Sequence, residues 1–310
     1  MMKTAVKISG LVKNFNGTHA VDHLDLSVPV GSIYGFLGPN GAGKTTTLKM
    51  IVGMTEPTSG EIEILDKKVS FGSNYGRETI GYLPDVPGFY DWMTAKEFLI
   101  FSGELFDISK KVLNDRVKEL LTLVDLTKHK NKKIGSYSRG MKQRLGIAQA
   151  LINDPQIVLL DEPVSALDPI GRKEVMDIIA ALRGRVTVFF STHILADVER
   201  ICDRIVIINE GKKILEDSIQ NIRQVPDLRE LEIELEDEKD AHFFVSLQTD
   251  KSIEAILVDQ LKVTIKTLDL DKTRTQIFEA IFKEDILVKK IFVKEVSLED
   301  IFMKAVNHHA

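Results

Sequence analysis

Residues 36–50 read Phe36-Leu37-Gly38-Pro39-Asn40-Gly41-Ala42-Gly43-Lys44-Thr45-Thr46-Thr47-Leu48-Lys49-Met50. A strand-like run, Ile33 to Leu37, leads in, and a helix-like run, Thr45 to Val52, leads out. The Gly-x-x-x-x-Gly-Lys-Thr spacing is the phosphate-binding loop pattern in the strand-loop-helix setting it requires. Its glycines let the backbone curl so that successive N–H groups point at anionic oxygens, and the helix N-terminus adds partial positive charge. Lys44 is placed to bridge β- and γ-phosphates, and the Thr45 hydroxyl to ligate Mg²⁺.

Further along the chain, Ile157-Val158-Leu159-Leu160 is a continuous apolar run, as expected of a strand buried on both faces of a parallel sheet. Asp161 and Glu162 follow at once. Carboxylates at the end of a buried strand are costly unless they bind something, and ligands of open α/β sheets sit at that end. Asp161 suits a water-mediated Mg²⁺ contact, and Glu162 suits accepting a proton from an attacking water. A second β-branched and aromatic run, Val186–Phe190, ends in Ser191-Thr192-His193, which puts a histidine within reach of a γ-phosphate. Strands alternating with helices give an α/β, doubly wound class for this part of the chain.

Residues 4–12 and 19–30 alternate in places and predict two short β segments before the central strand, with Phe15 between them. That ring either stacks on a purine or packs into the strand pair. Residues 94 to about 154 read as helical. A Thr94-x-x-Glu97 capping box starts one helix, Val112 to Leu123 forms a second, and a third opens at Ser138-Arg139-Gly140-Met141. Small and hydroxyl residues at that helix start form either an anion site or an ordinary N-cap.

Around 222–230 the composition shifts, with Pro226 among mixed charges, and predicts a linker. The remainder reads β-α-β-β-α-β plus a terminal helix capped at Ser297-x-x-Asp300, a small α+β domain. The expected boundaries are 1–221 for the first domain, with a helical part at about 86–153, and 222–310 for the second.

The chain has 310 residues, a formal net charge of −5 and one cysteine. The charge gives no electrostatic case for nucleic acid as the main partner. A single cysteine excludes an internal disulfide and suits a reducing compartment. No segment approaches the roughly 18 apolar residues of a membrane span. The expectation is a soluble, intracellular protein that reaches a membrane only through a partner.

Taken together, these motifs resemble those of the nucleotide-binding subunit of an ABC transporter. The phosphate loop, Ser138-Arg139-Gly140-Met141-Lys142-Gln143-Arg144, Leu160-Asp161-Glu162-Pro163, Ser165-Ala166-Leu167-Asp168 and His193 occur in the family's order across residues 1 to about 220. The resemblance implies an ABC-type ATPase fold: a mostly parallel sheet, an N-terminal antiparallel β part and a helical subdomain. It also implies ATP and Mg²⁺ as cofactors and a head-to-tail dimer. ATP would lie between residues 38–46 (Gly38, Pro39, Asn40, Gly41, Ala42, Gly43, Lys44, Thr45, Thr46), Asp161 and Glu162 of one copy and Ser138 and Gly140 of the other. Glu162 would be the general base, His193 the γ-phosphate sensor, Asp168 the coupler across the dimer, and Phe15 the adenine stack. A separate integral membrane permease is implied, with this subunit peripheral on the inner face of the cell membrane.

Two departures stand out. Asp85 follows Tyr82-Leu83-Pro84 where the family often has Gln; it cannot donate an amide hydrogen bond but can contact Mg²⁺ or water. Arg139 and Met141 replace commoner signature residues, whereas Ser138 and Gly140 are kept. Related export-type subunits share the Tyr-Ser-x-Gly-Met-Lys-Gln-Arg run and a C-terminal domain ending like Ser297-Leu298-Glu299-Asp300-Ile301-Phe302, which favours an exporter. The competing expectation is a soluble ABC-family ATPase acting on ribosomes or nucleic acid. Against it stand a single phosphate loop, no long coiled-coil insertion and no zinc-spaced cysteines.

Overall fold

The computed structural model describes residues 3–72, 74–223, 229–245 and 252–294. These divide into two compact units, one running to Ile219 and one starting at Gln220.

The first unit begins with a long antiparallel hairpin, β1 (Thr4–Phe15) and β2 (Thr18–Pro29), then β3 (Ile33–Leu37) and α1 (Lys44–Ile51). The hairpin closes through Asn16-Gly17, both at positive φ, the strongest short hairpin signal. Phe15 is therefore the last residue of a strand, paired with Thr18, rather than a residue between two short segments. Next come β4 (Ser59–Ile64), β5 (Lys67–Val69), α2 (Asn74–Thr79) and β6 (Ile80–Leu83). The turn between β4 and β5 falls at Leu65-Asp66 (φ 48° and 63°), which leaves Lys67 and Lys68 to pair with β4. The short helix α2 leaves no amphipathic pattern and is not anticipated.

The helical part follows as α3 (Ala95–Glu104), α4 (Lys110–Leu123), two 3₁₀ turns and α5 (Arg139–Ala150). The Thr94–Glu97 capping box forms in both directions, at 3.2 and 2.8 Å. The unit is completed by β7 (Ile157–Leu160), α6 (Pro169–Ala181), β8 (Thr187–Thr192), α7 (Leu195–Ile201), β9 (Arg204–Asn209) and β10 (Lys212–Ser218), after which α8 (Ile219–Arg223) leads out.

Two sheets result. One is antiparallel, in the order β2-β1-β4-β5; the other runs β10-β9-β3-β8-β7-β6, parallel except for its antiparallel edge β10. All five residues of β3, all four of β7 and all six of β8 are buried, which is why Ile157–Leu160 and the Val188–Phe190 part of β8 read as runs without polar alternation. Helix α1 lies in the core that both sheets share, where Leu48, Met50 and Ile51 join Leu24 and Leu26 on one side and Phe36 and Phe189 on the other. Burial of each such side chain contributes about 1.5–3 kcal/mol. The phosphate loop is thus anchored at both ends.

The second unit contains β11 (Arg229–Leu235), α9 (Ala241–Val245), β12 (Ile253–Asp259), β13 (Lys262–Thr267), α10 (Leu270–Lys283) and β14 (Val288–Lys294). Its antiparallel order β12-β13-β11-β14 is the ferredoxin-like arrangement of a βαββαβ chain. Leu231, Ile233 and Leu235 of β11 enter its core with Phe244 and Ile277 of the two helices, while Glu230, Glu232 and Glu234 alternate to the other face. There Lys262 meets Glu232 at 2.7 Å, and Lys266 and Lys294 meet Glu230 at 3.3 and 3.2 Å. The terminal helix expected from Ser297 lies outside the described residues.

Candidate functional site

The ends of β3, β7 and β8 lie side by side in the sheet, so the loops that leave them meet. The first is the phosphate loop. Gly43 caps α1 in a left-handed conformation (φ 103°), and a Cβ there would stand 2.3 Å from the Ala20 carbonyl oxygen. Only glycine meets both demands, and the close approach seats the N-terminal hairpin against the loop. A second tie runs from Gly211 N–H to the Ala42 carbonyl (3.1 Å). Within the loop, Lys44 is 6% exposed and donates to the Gly38 and Pro39 carbonyls at 2.7 and 3.2 Å. Thr46 is half-buried, while Pro39, Asn40 and Gly41 are exposed at the loop's crest.

The second loop brings the two acids. Glu162 Oε1 lies 3.2 Å from Lys44 Nζ, and Glu162 Oε2 lies 2.9 Å from His193 Nδ1 at the end of β8. Lys44, Glu162 and His193 thus form one chain of charged contacts. Glu162 itself adopts φ 47°, a left-handed conformation that costs a non-glycine residue about 1–3 kcal/mol and that clusters at functional sites. Asp161 is 1% exposed; its Oδ1 accepts from Thr45 Oγ1 (3.1 Å) and Ser191 Oγ (2.7 Å). Its Oδ2 is buried without a partner. Burial pushes the Asp161 carboxyl above its usual range; the two hydroxyls oppose that, and the charges of Asp85 and Glu162 reinforce it. The Tyr82 hydroxyl beside them is also pushed up, first by burial and then by Asp161 and Asp85. Three carboxylates therefore act on one small region.

Asp85 is exposed and accepts a hydrogen bond from Ser165 Oγ (3.2 Å), which ties the loop after β6 to the loop after β7. Phe15 is exposed at 48%, with the Lys13 ammonium 4.9 Å from its ring centre. The ring is thus half exposed beside Lys13 rather than enclosed between the strands. Ser138 caps α5 by accepting from the Met141 N–H (3.2 Å), and Asp168 caps α6 by accepting from the Gly171 N–H (2.9 Å). Ser138 and Arg139 are exposed, with Gly140 and Met141 half-buried. Among the described residues no hydrogen bond or ion pair joins Ser138, Gly140 or Asp168 to the phosphate loop. The structure thus assembles Lys44, Thr45, Asp161, Glu162 and His193 within one chain and leaves Ser138 and Arg139 of the signature exposed.

Sequence reasoning missed Ser191, which touches both acids. A short hydroxyl inside an apolar strand, two residues before His193, is the only signal it leaves. The reading also missed the pair Arg172–Asp197 (Nε to Oδ1, 2.8 Å), which joins α6 to α7.

The comparisons agree with this architecture. The family model described as ABC transporter matches residues 21–165. The chain is 38% identical over 303 residues, 97% of its length and 99% of the relative's, to the uncharacterized ABC transporter ATP-binding protein YxlF of Bacillus subtilis (strain 168). It is 37% identical over 313 residues, 98% of both chains, to the bacitracin transport ATP-binding protein BcrA of Bacillus licheniformis. Among solved structures it resembles the ATP-binding cassette MJ0796 in a dimeric post-hydrolysis state bound to ADP and Pi, at 26% identity, with a TM-score of 0.62 and coverage of 69% of this chain and 98% of that one. A phosphate loop facing two strand-end carboxylates defines a nucleotide-hydrolysing cassette. The chain belongs to the ABC transporter ATP-binding protein family and is an ATPase subunit of that class.

Proposed function

We propose that this subunit hydrolyses ATP as one half of a head-to-tail dimer that drives a separate membrane permease, and that the transport is export. The observation that carries the reading is the chain of contacts Lys44–Glu162–His193 beside the phosphate loop. Lys44 is held where it can neutralise β- and γ-phosphate oxygens. The Glu162 carboxylate takes a proton from water as the water oxygen bonds to the γ-phosphorus. The bond from that phosphorus to the bridging oxygen breaks, leaving ADP and phosphate. His193, 44% exposed at its side chain, can contact the γ-phosphate while Glu162 orients its ring.

The residues fit Mg²⁺. A hard cation takes oxygen ligands, and the Thr45 hydroxyl stands beside an Asp161 oxygen that is buried and unpartnered. When bound, the ion supplies charge neutralisation at the β- and γ-phosphates. Asp85 faces the same region and adds negative charge.

The start of α5, with Ser138 exposed and Gly140 half-buried beside it, supports a partner copy completing the site. An apolar groove of about 940 Å³ between the sheet edge and the helical part supports permease docking; Tyr90, Phe101, Leu105 and Phe106 line it and are all partly or largely exposed. No helix among the described residues is long and apolar enough to cross a membrane. In this reading, attachment to the inner face of the membrane is through the permease. Export rests on similarity over almost the whole chain, C-terminal unit included, to a transport ATP-binding protein, together with the Ser297–Phe302 sequence.

The test is Glu162→Gln. With saturating ATP and Mg²⁺ it is expected to run as a dimer in size-exclusion chromatography, because binding survives while water activation is lost. A strictly monomeric variant would count against the paired site. Purification from native membranes in mild detergent is expected to bring along a stoichiometric polytopic membrane protein; enrichment of ribosomes or nucleic acid instead would favour the soluble alternative.

A further inference from the structure

Ser191 is fully buried at the end of β8, one residue short of the strand's last position, and makes two hydrogen bonds. Its Oγ donates to Asp161 Oδ1 at 2.7 Å and accepts from the Glu162 backbone N–H at 2.9 Å. A serine hydroxyl has one proton and two lone pairs. The Glu162 N–H occupies one lone pair, and the proton points to Asp161. A single side chain thus binds both acids of the next strand, one through its carboxylate and one through its backbone.

Each bond falls on a residue that needs support. Glu162 sits at φ 47°, a conformation that persists only where the surroundings hold it. Asp161 Oδ1 is saturated by Ser191 and Thr45, so Oδ2 alone is left unpartnered. The hydroxyl therefore selects which Asp161 oxygen is presented and fixes the peptide from which the Glu162 side chain departs. Packing alone would require neither bond, since alanine fills most of the same space.

We propose that Ser191 is a positioning residue for ATP hydrolysis: it sets the orientation of the Asp161 carboxylate toward the divalent cation and of Glu162 toward the attacked phosphate. It touches neither nucleotide nor cation itself. The proposal rests on the hydrolysis reading above.

The test uses the full chain with ATP and Mg²⁺ as probes. Partners one shell removed from a metal site are worth 10–100-fold, so Ser191→Ala is expected to lower kcat by about that factor, with KM for ATP in the presence of Mg²⁺ rising only several-fold. ATP affinity measured in EDTA stays at the wild-type value, whereas the gain in affinity on adding Mg²⁺ shrinks several-fold. Ser191→Thr restores kcat to near wild type. In an Asp161→Asn background, adding Ser191→Ala leaves the Mg²⁺-dependent gain unchanged, because the route through Asp161 is already lost. The proposal is overturned if Ser191→Ala keeps wild-type kcat and Mg²⁺ response, or if its loss is equal with and without Mg²⁺ and persists beside Asp161→Asn, the mark of a packing role. A wild-type chain that binds ATP without hydrolysing it would refute the hydrolysis reading instead, and the affinity measurements would still decide the role of Ser191.

Discussion

Replacing Gly81 by alanine tests whether the strand beside the helical part is packed as described. Gly81 is in β6, opposite Val158 of β7, and a Cβ on it would lie 1.7 Å from the Ala150 carbonyl oxygen at the end of α5. Ordinary contact begins near 3.4 Å, so strand and helix must separate by roughly 1.5 Å. Neither side yields easily. Parallel pairing to β7 fixes β6, and buried Leu145, Ile147 and Ala148 hold α5. Overpacking by one methyl in such a place costs about 1–3 kcal/mol, and the contact with backbone on both sides puts the cost at the upper end. For a unit of this size each kcal/mol lowers Tm by about 2–4 °C, so a fall of roughly 4–12 °C is expected in differential scanning fluorimetry. Gly88→Ala is the control, since nothing stands within 4 Å of its Cβ position; its Tm is expected to stay within about 2 °C. Equal melting temperatures for the two variants would refute the packing of β6 on α5.

Lys44→Ala removes the cation paired with Glu162 and is expected to abolish phosphate release in a malachite green assay; turnover near the wild-type rate would sink the site. Arg172→Ala strands Asp197, which is 4% exposed and has Oδ2 buried without a partner. Breaking a buried pair costs about 3–5 kcal/mol, and partial exposure of Arg172 reduces this to about 2 kcal/mol by urea unfolding. Burial already holds the Asp197 carboxyl above its usual range despite Arg172. A carboxyl raised in the folded state favours folding less as pH climbs through that raised value. Loss of Arg172 raises it further, so the deficit of the variant should narrow on going from pH 7 to pH 5; a deficit that widens would contradict the assignment. Cys202 is buried and its thiol is pushed well up by burial. It is expected to resist dithionitrobenzoate in the native state and to react within minutes in denaturant; rapid native labelling would refute its burial.

How much of this was legible in the sequence depended on how local the cause was. The phosphate loop, the acidic strand end and the capping box announce themselves because each is a short-range arrangement with its own hydrogen bonds. Buried parallel strands do so as well: Ile157–Leu160 has water on neither face and so cannot alternate. The βαββαβ order of the last unit was readable for the same reason, since its strands alternate around turn residues. Contacts between distant positions left no such trace. Ser191 meets Asp161 and Glu162 only because β7 and β8 pair in register, and Arg172 meets Asp197 only because two helices pack. The fate of Phe15 turned on whether β1 ran on through it, which the Asn16-Gly17 pair decides and the spacing of apolar residues does not.

The strand order has a consequence for a chain still emerging from the ribosome. Strand β3 ends at Leu37, yet its two neighbours in the sheet are β8 and β9, which end at Thr192 and Asn209. At about 5–20 residues per second, synthesis takes on the order of ten seconds or more to supply them. For that interval a strand whose five residues are all buried in the native sheet, with its row of unpaired backbone groups, has no native partner on either side. Nascent chains of this protein should therefore depend on chaperones most strongly between those two points of synthesis, and that dependence should end abruptly once β9 clears the exit tunnel.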